Sequence, residues 1–580
     1  MPEFHSDGRV SGHLGDGCAG DRTYVDRVTQ HRRRRRDAAR RVIRKRAAVA
    51  AAVVGTVALG TGVGVWAATS GGDGGPQQSA RRSSDRVPGA GSAEPGTPSA
   101  SPSPSRSYPL SQAPRTIPAV RSHTAEHGPG WKPRAGGRVL VSDAGLADEG
   151  RLAAGELGLT YAGVKNDARA GDVRLALGGG GNQESYTMTV RGGRVDITGP
   201  GEAGVFYGTR TLKQEVHGGG TAPEGVVRDE PAKPVRGFML DIARKPFSET
   251  WIEDRIRELG DLKFNELGLH FSDDQAFRIE STTHPEIVSA DHLSKAQVKK
   301  IVDLANSRHI TVVPEIDSPG HLGAVIAAHP DLQLRNASGV ATRGAVDISK
   351  EASAKIVDDL LNEYAGLFTG DQWHLGGDEY QALTVRDPQA SYPQLAAAAR
   401  EKYGPGGTVA DLATGWLNAR ADTVRAHDRT MRAWNDGFLR GTSVQPAEDL
   451  RVAYWTGKEI GARQPDEYLS AGRKVVNYND EFLYYVLGQP QTFVYPTGQR
   501  IYQQWNPRVL RGTAAVPARY EGQVLGGTFA VWGDFPNAQT EEQVAAGIRM
   551  PLRATVQKLW DPGEPPLSWA EFGKLSDRLG

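Results

Sequence analysis

Strand and helix signals alternate along the chain after Pro234, and this alternation constrains the fold more than any other feature of the sequence. Apolar runs of strand length are each followed by a stretch with helical periodicity, which is typical of a parallel sheet with helical crossovers. The strand candidates are residues 237–241, 266–271, 310–315, 372–375, 430–434, 452–455, 474–478 and 525–532. Eight such units predict an α/β fold, a (β/α)8 TIM barrel with its active site at the C-terminal ends of the strands.

Short signals mark where helices begin between these strands. Thr250, Ser294 and Thr540 are each followed three residues later by Glu or Gln, which is the pattern of a capping box. After Ser294, apolar residues recur at the spacing of one buried helical face: Val298, Ile301, Val302 and Ala305.

Polar and aromatic side chains stand at the ends of most strand candidates. They are Asp241 and Arg244; Asp273 and Asp274; Glu315, Asp317 and His321; Asp378 and Glu379; Trp434 and Asp436; Trp455; and Trp532 and Asp534. Because the C-terminal ends of barrel strands surround one pocket, these side chains are expected to converge. Paired carboxylates with aromatic walls suit glycoside hydrolysis, in which a carboxylic acid protonates the leaving oxygen.

Metal-dependent hydrolysis is the less favoured alternative for such a pocket. It usually needs several His ligands close together, and only His270, His321 and His374 are candidates near strand ends. The sequence therefore predicts neither a metal ligand set nor another cofactor.

The stretch His374-Leu-Gly-Gly-Asp-Glu379 places two adjacent carboxylates after the fourth strand candidate. Neighbouring residues of a strand point to opposite faces, so both carboxylates can serve one site only where the backbone turns. Gly376 and Gly377 are predicted to make that turn, because glycine adopts φ values closed to other residues. The alternative is a polar loop whose Asp378 and Glu379 cap the next helix.

The N-terminal part of the chain predicts export. Basic residues at 31–46 directly precede an uncharged run, 47–70, of about the length of a membrane span. This order predicts that residues 1–46 stay in the cytoplasm. The run is either an uncleaved transmembrane signal anchor, which its full length favours, or a signal peptide cut near Ala67. The chain beyond this run is expected to be extracellular, either membrane-anchored or secreted.

The charge balance gives no general argument for a nucleic-acid partner. The chain has 69 basic and 68 acidic residues and a net charge of +1. A nucleic-acid-binding arm is therefore the lesser alternative for the basic residues at 31–46.

Three segments come after the apolar run. Residues 71–116 are rich in Ser, Pro and Gly and predict a disordered linker. Residues 117–231 predict a small α+β domain without catalytic residues, and residues 232–580 hold the barrel. In the small domain, the strand candidates are 138–141, 173–177, 186–190 and 194–197, and the helix candidate is 203–215. Cys18 precedes the apolar run, so no disulfide is expected in the exported part.

Five stretches, in fixed order, closely resemble motifs of the family 20 glycoside hydrolases, the β-N-acetylhexosaminidases. They are 236–244, 272–275, 314–321, 374–379 and 531–534. The resemblance covers roughly residues 117–580, including the small domain. It implies an exo-acting, retaining enzyme that removes terminal GlcNAc or GalNAc from glycans with β-linked N-acetylhexosamine. In that family the substrate assists catalysis through an oxazolinium intermediate.

Carried over by motif, the resemblance implies roles for individual residues. Glu379 is implied to be the general acid/base, and Asp378 to orient the 2-acetamido group whose carbonyl oxygen attacks the anomeric carbon. Asp378 is then expected to stay ionised and Glu379 to stay protonated. Tyr484 is implied to donate to the acetamido carbonyl, with Tyr485 as the alternative, since only one of the two can face the pocket.

The resemblance also implies how the pocket is built. Arg244 is implied to bind hydroxyls at the closed end of the sugar pocket. Three tryptophans are implied to wall the acetamido methyl, although core packing is an alternative for each: Trp434, Trp455 and Trp532. Supporting positions are implied for Asp273, Asp317 and His321.

Two departures from the family pattern concern sugar hydroxyls. Val486 stands where an Asp is usual, and Asp534 stands where a Glu is usual. Both leave the acetamido pocket and the catalytic pair in place, so they affect substrate choice more than reaction type. Release of a disaccharide, as by lacto-N-biosidases, is therefore an alternative. A catalytically silent glycan-binding protein is the rival of another class, and the presence of Asp378 and Glu379 argues against it.

Overall fold

The computed structural model describes residues 107–458 and 462–580. The predicted basic segment 1–46, the apolar run 47–70 and most of the predicted linker 71–116 lie outside the described residues. Within the two described ranges, no helix is both long enough and apolar enough to cross a membrane.

Residues after the linker form a small α+β domain, as predicted. Its strands are β1 (Ser122–Ala125), β2 (Arg138–Val141), β3 (Thr160–Val164), β4 (Val173–Leu177), β5 (Tyr186–Arg191), β6 (Arg194–Gly199) and β7 (Gly225–Asp229). They form one sheet in the order β1-β7-β5-β6-β4-β2-β3. Helices α1 (Ala147–Leu157) and α2 (Glu202–Val216) pack against the sheet and against each other. The four predicted strands and the predicted helix are confirmed, whereas β1, β3 and β7 were not predicted.

A parallel barrel with helical crossovers occupies the rest of the chain. Its strands and the strands in its loops are β8 (Val235–Asp241), β9 (Glu266–His270), β10 (Thr311–Glu315), β11 (Gln333–Arg335), β12 (Ala341–Val346), β13 (Gln372–His374), β14 (Thr430–Trp434), β15 (Arg451–Tyr454), β16 (Val475–Asn477), β17 (Tyr484–Val486) and β18 (Val524–Trp532). The barrel order is β8-β9-β10-β13-β14-β15-β16-β18, and β18 returns to β8. All eight predicted barrel strands are confirmed. Every residue of β8 and β9 is buried, because helices cover the outside of the barrel and side chains fill its inside.

Strand β17 is an addition to the predicted barrel. The short β16 pairs only with residues 524–527 of β18, and the rest of β18 extends beyond it. Strand β17 pairs with residues 530–532 and completes the wall at the C-terminal end. It thereby places Tyr484 beside the barrel mouth.

The helices of the barrel domain lie between its strands and at its end. They are α3 (Glu249–Asp261), α4 (Lys295–Asn306), α5 (Gly323–Ala328), α6 (Glu351–Ala365), α7 (Pro388–Ser391), α8 (Pro393–Tyr403), α9 (Val409–Arg425), α10 (Pro465–Ser470), α11 (Gly498–Gln504), α12 (Glu541–Trp560) and α13 (Trp569–Leu579). The capping boxes predicted at Ser294 and Thr540 are confirmed, and the predicted apolar face of α4 is buried.

The capping box predicted at Thr250 is wrong. The Ser248 side chain accepts from the backbone N–H of Trp251, so α3 begins at Glu249 and Thr250 lies inside its first turn. An N-cap needs extended backbone geometry, which Ser248 has.

Helix α12 joins the barrel to the small domain. Trp560 of α12 is fully buried in the small domain's core, and its indole N–H donates to Asp229 at 2.9 Å. The Arg236 guanidinium of β8 forms an ion pair with Glu184 at 2.6 Å. These buried contacts fix the base of the barrel and leave its opposite, C-terminal rim open.

Candidate active site

The turn after β13 positions the two adjacent carboxylates. Gly376 and Gly377 have φ values of 67° and 98°, which confirms the predicted turn. A Cβ on Gly376 would lie 1.8 Å from a carboxylate oxygen of Asp317, so no side chain fits there. The helix-cap alternative is wrong, because the next helical turn begins after Tyr380 without a side-chain cap. Asp378 and Glu379 are therefore free to face the barrel mouth.

Asp317 and Asp378 form a close pair of carboxylates, of which Asp317 is fully buried and the Asp378 side chain is 18% exposed. One oxygen of each and a ring nitrogen of His321 lie within 4.8 Å of one another. Burial raises the pKa of Asp317 to about 7, although His321 opposes the shift. Burial and the charge of Asp317 likewise raise the pKa of Asp378 well above its ordinary value. Because two charges so close cannot both persist away from water, the pair shares one proton at neutral pH.

His321 connects Asp378 and Glu379 to Asp273. Its Nε2 lies 3.5 Å from Glu379 and 3.7 Å from Asp378, and its Nδ1 lies 3.3 Å from Asp273. Burial alone would lower the pKa of His321, but Asp378 and Asp273 outweigh it and raise the pKa well above its ordinary value. Asp317, His321 and Asp378 also have the spacing of a metal ligand set.

Without substrate, Asp378 and Glu379 are protonated differently from what the resemblance implied. The hydrogen bond and charge of His321 lower the pKa of Glu379, so this carboxylate is ionised while the Asp317–Asp378 pair holds a proton. The Glu379 side chain is 54% exposed, and its backbone N–H donates to Asp436 at 2.9 Å. The expectation of a protonated Glu379 is thus not met in the free site. The expectation of an ionised Asp378 is met only when the shared proton rests on Asp317.

A buried chain of charged groups supports this site from below. Glu315 is fully buried and contacts His270 Nδ1 at 2.5 Å and His374 Nδ1 at 3.1 Å. His270 also contacts Asp273 through Nε2 at 2.8 Å. Burial alone would lower the pKa of His270, but Glu315 and Asp273 raise it to about 10. The sequence offered His270 and His374 only as weak metal candidates, whereas the structure makes them partners of Glu315.

Arg244 stands at the inner end of the site. Its guanidinium donates to Asp241 at 2.9 Å and forms an ion pair with Asp273 at 2.6 Å. It also lies over the ring of Trp532, 5.7 Å from the centroid. Burial raises the pKa of Asp534, against the opposing charge of Arg244. Arg244 and Asp534 both line the cleft at the barrel mouth.

The three tryptophans and Tyr484 form a continuous aromatic wall. The ring centroids of Trp434 and Trp532 are 5.9 Å apart, and those of Trp532 and Tyr484 are 5.5 Å apart. Trp455 stacks almost parallel on Tyr484 at 5.9 Å. Trp434 also serves the core, because it is buried and donates to Glu315 at 2.7 Å.

Tyr485 points away from this wall. Its ring stacks on Tyr495 at 4.2 Å, and its hydroxyl donates to Gln539 at 3.1 Å. Tyr484, not Tyr485, therefore belongs to the site, as strand alternation allows for only one of them. Val486 is buried beside the Tyr484–Trp532 cluster.

The open part of the site is a cleft of about 970 Å³. It contains Glu379, His321 and Arg244, together with Asp274, which the sequence placed at a strand end, and four residues to which sequence reasoning gave no role: Gln275, Arg343, Arg386 and Gln491. Gln275 directly follows Asp273 and Asp274, which is a signal that could have identified it. Arg386 and Gln491 lie in long loops, and Arg343 lies in β12, a strand that the sequence did not predict.

Comparisons with known proteins identify the family of the chain. The family model "Glycosyl hydrolase family 20, catalytic domain" matches residues 234–554, which is more than half of the chain, and "Glycosyl hydrolase family 20, domain 2" matches residues 113–230. The chain is 28% identical over 475 residues to the Lacto-N-biosidase of Bifidobacterium bifidum, with 80% of this chain and 42% of that protein covered. It is 33% identical over 227 residues to a Beta-hexosaminidase of Porphyromonas gingivalis, covering 34% of this chain and 29% of that protein. The chain thus spans less than half the length of these two relatives.

Solved structures share the fold. The structure matches a β-N-acetylhexosaminidase from Bacteroides fragilis with a TM-score of 0.66 at 21% identity, over 80% of this chain and 94% of that one. It matches a β-hexosaminidase of Streptomyces plicatus, solved with its product GlcNAc, with a TM-score of 0.65 at 24% identity, over 82% and 95% of the two chains.

Proposed function

Because the chain belongs to glycosyl hydrolase family 20, we propose that it is an exo-acting, retaining β-N-acetylhexosaminidase that uses the substrate's own acetamido group as the nucleophile. The observation that carries this proposal is the turn at Gly376 and Gly377. It places Asp378 beside Asp317 and His321, and Glu379 in the open cleft.

In the first step, Asp378 orients the acetamido group. With the shared proton on Asp317, an ionised Asp378 accepts the acetamido N–H, while the carbonyl oxygen attacks the anomeric carbon. The bond to the leaving oxygen breaks as an oxazolinium ring forms, and the negative charge of Asp378 stabilises that cation. The aromatic wall formed by Trp434, Trp532 and Tyr484 surrounds the acetamido methyl and excludes water.

In both steps, Glu379 transfers the proton. A glycoside in the cleft covers the half-exposed Glu379, and loss of water raises the pKa of its carboxyl toward the value a general acid needs. His321 lies 3.5 Å away and is the proton's source within the site. Once Glu379 has protonated the leaving oxygen, it accepts a proton from water. The water oxygen attacks the anomeric carbon from the face that the leaving group occupied, and the bond between that carbon and the acetamido oxygen breaks. The product therefore keeps the β configuration.

The released unit is proposed to be a single N-acetylhexosamine. Arg244 and Asp241 close the inner end of the pocket, and a guanidinium there favours a terminal sugar with free hydroxyls. Lacto-N-biose is the second candidate, favoured by the similarity to the Bifidobacterium bifidum Lacto-N-biosidase and by the buried Val486 where a carboxylate would bind a hydroxyl.

The test uses aryl N-acetylglucosaminide, aryl N-acetylgalactosaminide and aryl lacto-N-bioside with purified protein. Products are identified by mass and their first-formed anomer by NMR. Release of the monosaccharide as its β anomer supports the proposal. Release of intact lacto-N-biose with both monosaccharide substrates inert would promote the second candidate, and a first-formed α anomer would refute the retaining mechanism.

We also propose that the catalytic part acts outside the cytoplasm. The proposal rests on the sequence alone, in which basic residues at 31–46 precede the apolar run 47–70. Fractionation of cells that express the full chain tests it. Activity in the cytosolic fraction would refute it.

A further inference from the structure

A cluster of two histidines and one carboxylate lies outside the catalytic cleft. His284 and Glu286 lie in the loop after β9, at the short helical turn Pro285–Ile287. His329 directly follows α5, in the loop after β10. None of the three follows a barrel strand directly, so the sequence did not single them out. We refer to His284, Glu286 and His329 as the loop cluster.

The donor atoms of the loop cluster converge on one point. One oxygen of Glu286 lies 3.0 Å from His284 Nδ1 and 2.9 Å from His329 Nε2. One ligand atom from each of the three residues lies within 4.8 Å of the others. Donors bound to tetrahedral zinc at about 2.0–2.1 Å lie roughly 3.3 Å apart. The two contacts with Glu286 therefore need to lengthen by only a few tenths of an ångström to hold such an ion, and the two histidine nitrogens lie within 4.8 Å of each other.

A second observation concerns the other nitrogen of His284. His284 Nε2 lies 3.1 Å from a carboxylate oxygen of Asp359 on α6. When Nε2–H donates to that carboxylate, the Nδ1 lone pair points toward Glu286 and His329. A histidine whose second nitrogen donates to a carboxylate is the usual arrangement around protein-bound zinc, because it fixes the tautomer and raises ligand basicity.

We propose that the loop cluster binds one divalent ion of the zinc class, with three protein ligands and a water molecule. Imidazole nitrogens favour zinc, copper and nickel over magnesium and calcium. The side chains of His284, Glu286 and His329 are 15%, 41% and 29% exposed, so an ion reaches them from solvent. The site joins the loop after β9, which also carries Asp273, to the loop after β10, which also carries His321. A bound ion thus holds together two loops of the barrel mouth.

The ordinary alternative is that each histidine simply forms an ion pair with Glu286. Such partly exposed pairs contribute little to stability and have no preference for a transition metal. The two accounts differ in what happens to zinc affinity when one ligand is removed.

The test is calorimetric titration of zinc chloride into the full chain after treatment with a chelator. We expect one site in the wild type, weakened roughly tenfold or more by His329→Gln. Asp359→Asn should weaken it about 10–100-fold, the usual effect of removing the carboxylate behind a ligating histidine. His292→Gln is the matched control, because His292 is an exposed histidine near the cluster whose Nδ1 contacts only the carbonyl of Ser289. The zinc affinity of His292→Gln should equal that of the wild type.

Two further measurements complete the test. Zinc should raise the Tm of the wild type and of His292→Gln but not that of His329→Gln. Asp378→Asn should keep the site, which separates the loop cluster from the catalytic carboxylates. Equal zinc affinity in the wild type and His329→Gln, or loss of the site in Asp378→Asn, would overturn the proposal.

Discussion

Replacing Asp317 by Asn tests the shared proton of the Asp317–Asp378 pair. Asp317 is fully buried, and its carboxylate accepts the backbone N–H of Gly377 at 2.7 Å. An asparagine can accept the same bond through its carbonyl oxygen and donate to Asp378 through its amide. It therefore mimics a protonated Asp317 that cannot lose its proton.

The expected effect on stability derives from the pKa of Asp317, which burial raises from 3.8 to about 7. The folded state holds this proton more tightly than the unfolded state does. The stability linked to it is therefore present in full below pH 3.8 and is lost as the pH rises to about 7. A shift of about three units corresponds to roughly 4 kcal/mol in the free energy of unfolding. Asp317→Asn does not carry this pH dependence. The free energy of unfolding of the variant, relative to that of the wild type, should therefore be higher at pH 8 than at pH 4 by an amount of this order. Urea unfolding of both proteins at both pH values measures it.

The expected effect on activity appears in the alkaline limb of kcat/KM. Because burial raises the pKa of both carboxyls, the wild type should lose activity at alkaline pH as the pair loses its shared proton, whereas Asp317→Asn should keep its activity there. Asp274→Asn is the matched control, since Asp274 lines the same cleft but is not part of the pair. It should keep the alkaline limb of the wild type. An Asp317→Asn profile with the same alkaline limb as the wild type would refute the shared-proton account.

Three further predictions concern single side chains. Glu379→Gln should cut kcat by about 10²–10⁴-fold for glycosides with poor leaving groups and much less for activated aryl glycosides; equal losses would place the acid elsewhere. Tyr484→Phe should lower kcat more than Tyr485→Phe, because only Tyr484 lies in the aromatic wall, and steady-state kinetics with equal losses would contradict this. Trp560→Ala should destabilise the protein by about 3–5 kcal/mol, since it empties a fully buried site between barrel and small domain, and an unchanged Tm would contradict it.

The strand pattern predicted where functional residues converge, because the barrel fold brings strand ends together whatever the loops do. Trp434, Trp455 and Trp532 lie in one wall, and Arg244 lies beside Asp273, as position at strand ends implied. Sequence alone did not reveal β17, which exists because β16 is too short to pair with all of β18. The pairing of β17 thus depends on the lengths of two other strands in the folded barrel, which its own sequence does not indicate.

The distribution of protons could not be predicted from the motif. Asp378 and Glu379 are neighbours in the sequence, but their side chains have different neighbours in the fold. Asp378 lies beside the buried Asp317, whereas Glu379 extends into the cleft beside His321. Burial and the charge of Asp317 raise the pKa of Asp378, whereas the hydrogen bond with His321 lowers the pKa of Glu379. The cap at Ser248 was missed for a similar reason, since both Ser248 and Thr250 are good capping residues and only the backbone geometry decides between them.

Attack by the substrate's own acetamido oxygen is the central claim, and its nucleophilicity can be varied without changing the protein. The measurement is kcat/KM for aryl glycosides whose 2-acetamido group carries zero, one, two or three fluorine atoms. Each fluorine withdraws electrons from the carbonyl oxygen, so kcat/KM should fall stepwise along the series if that oxygen is the nucleophile. Equal kcat/KM values across the series would contradict the account. So would a glycosyl ester trapped on Asp378 during turnover of these substrates.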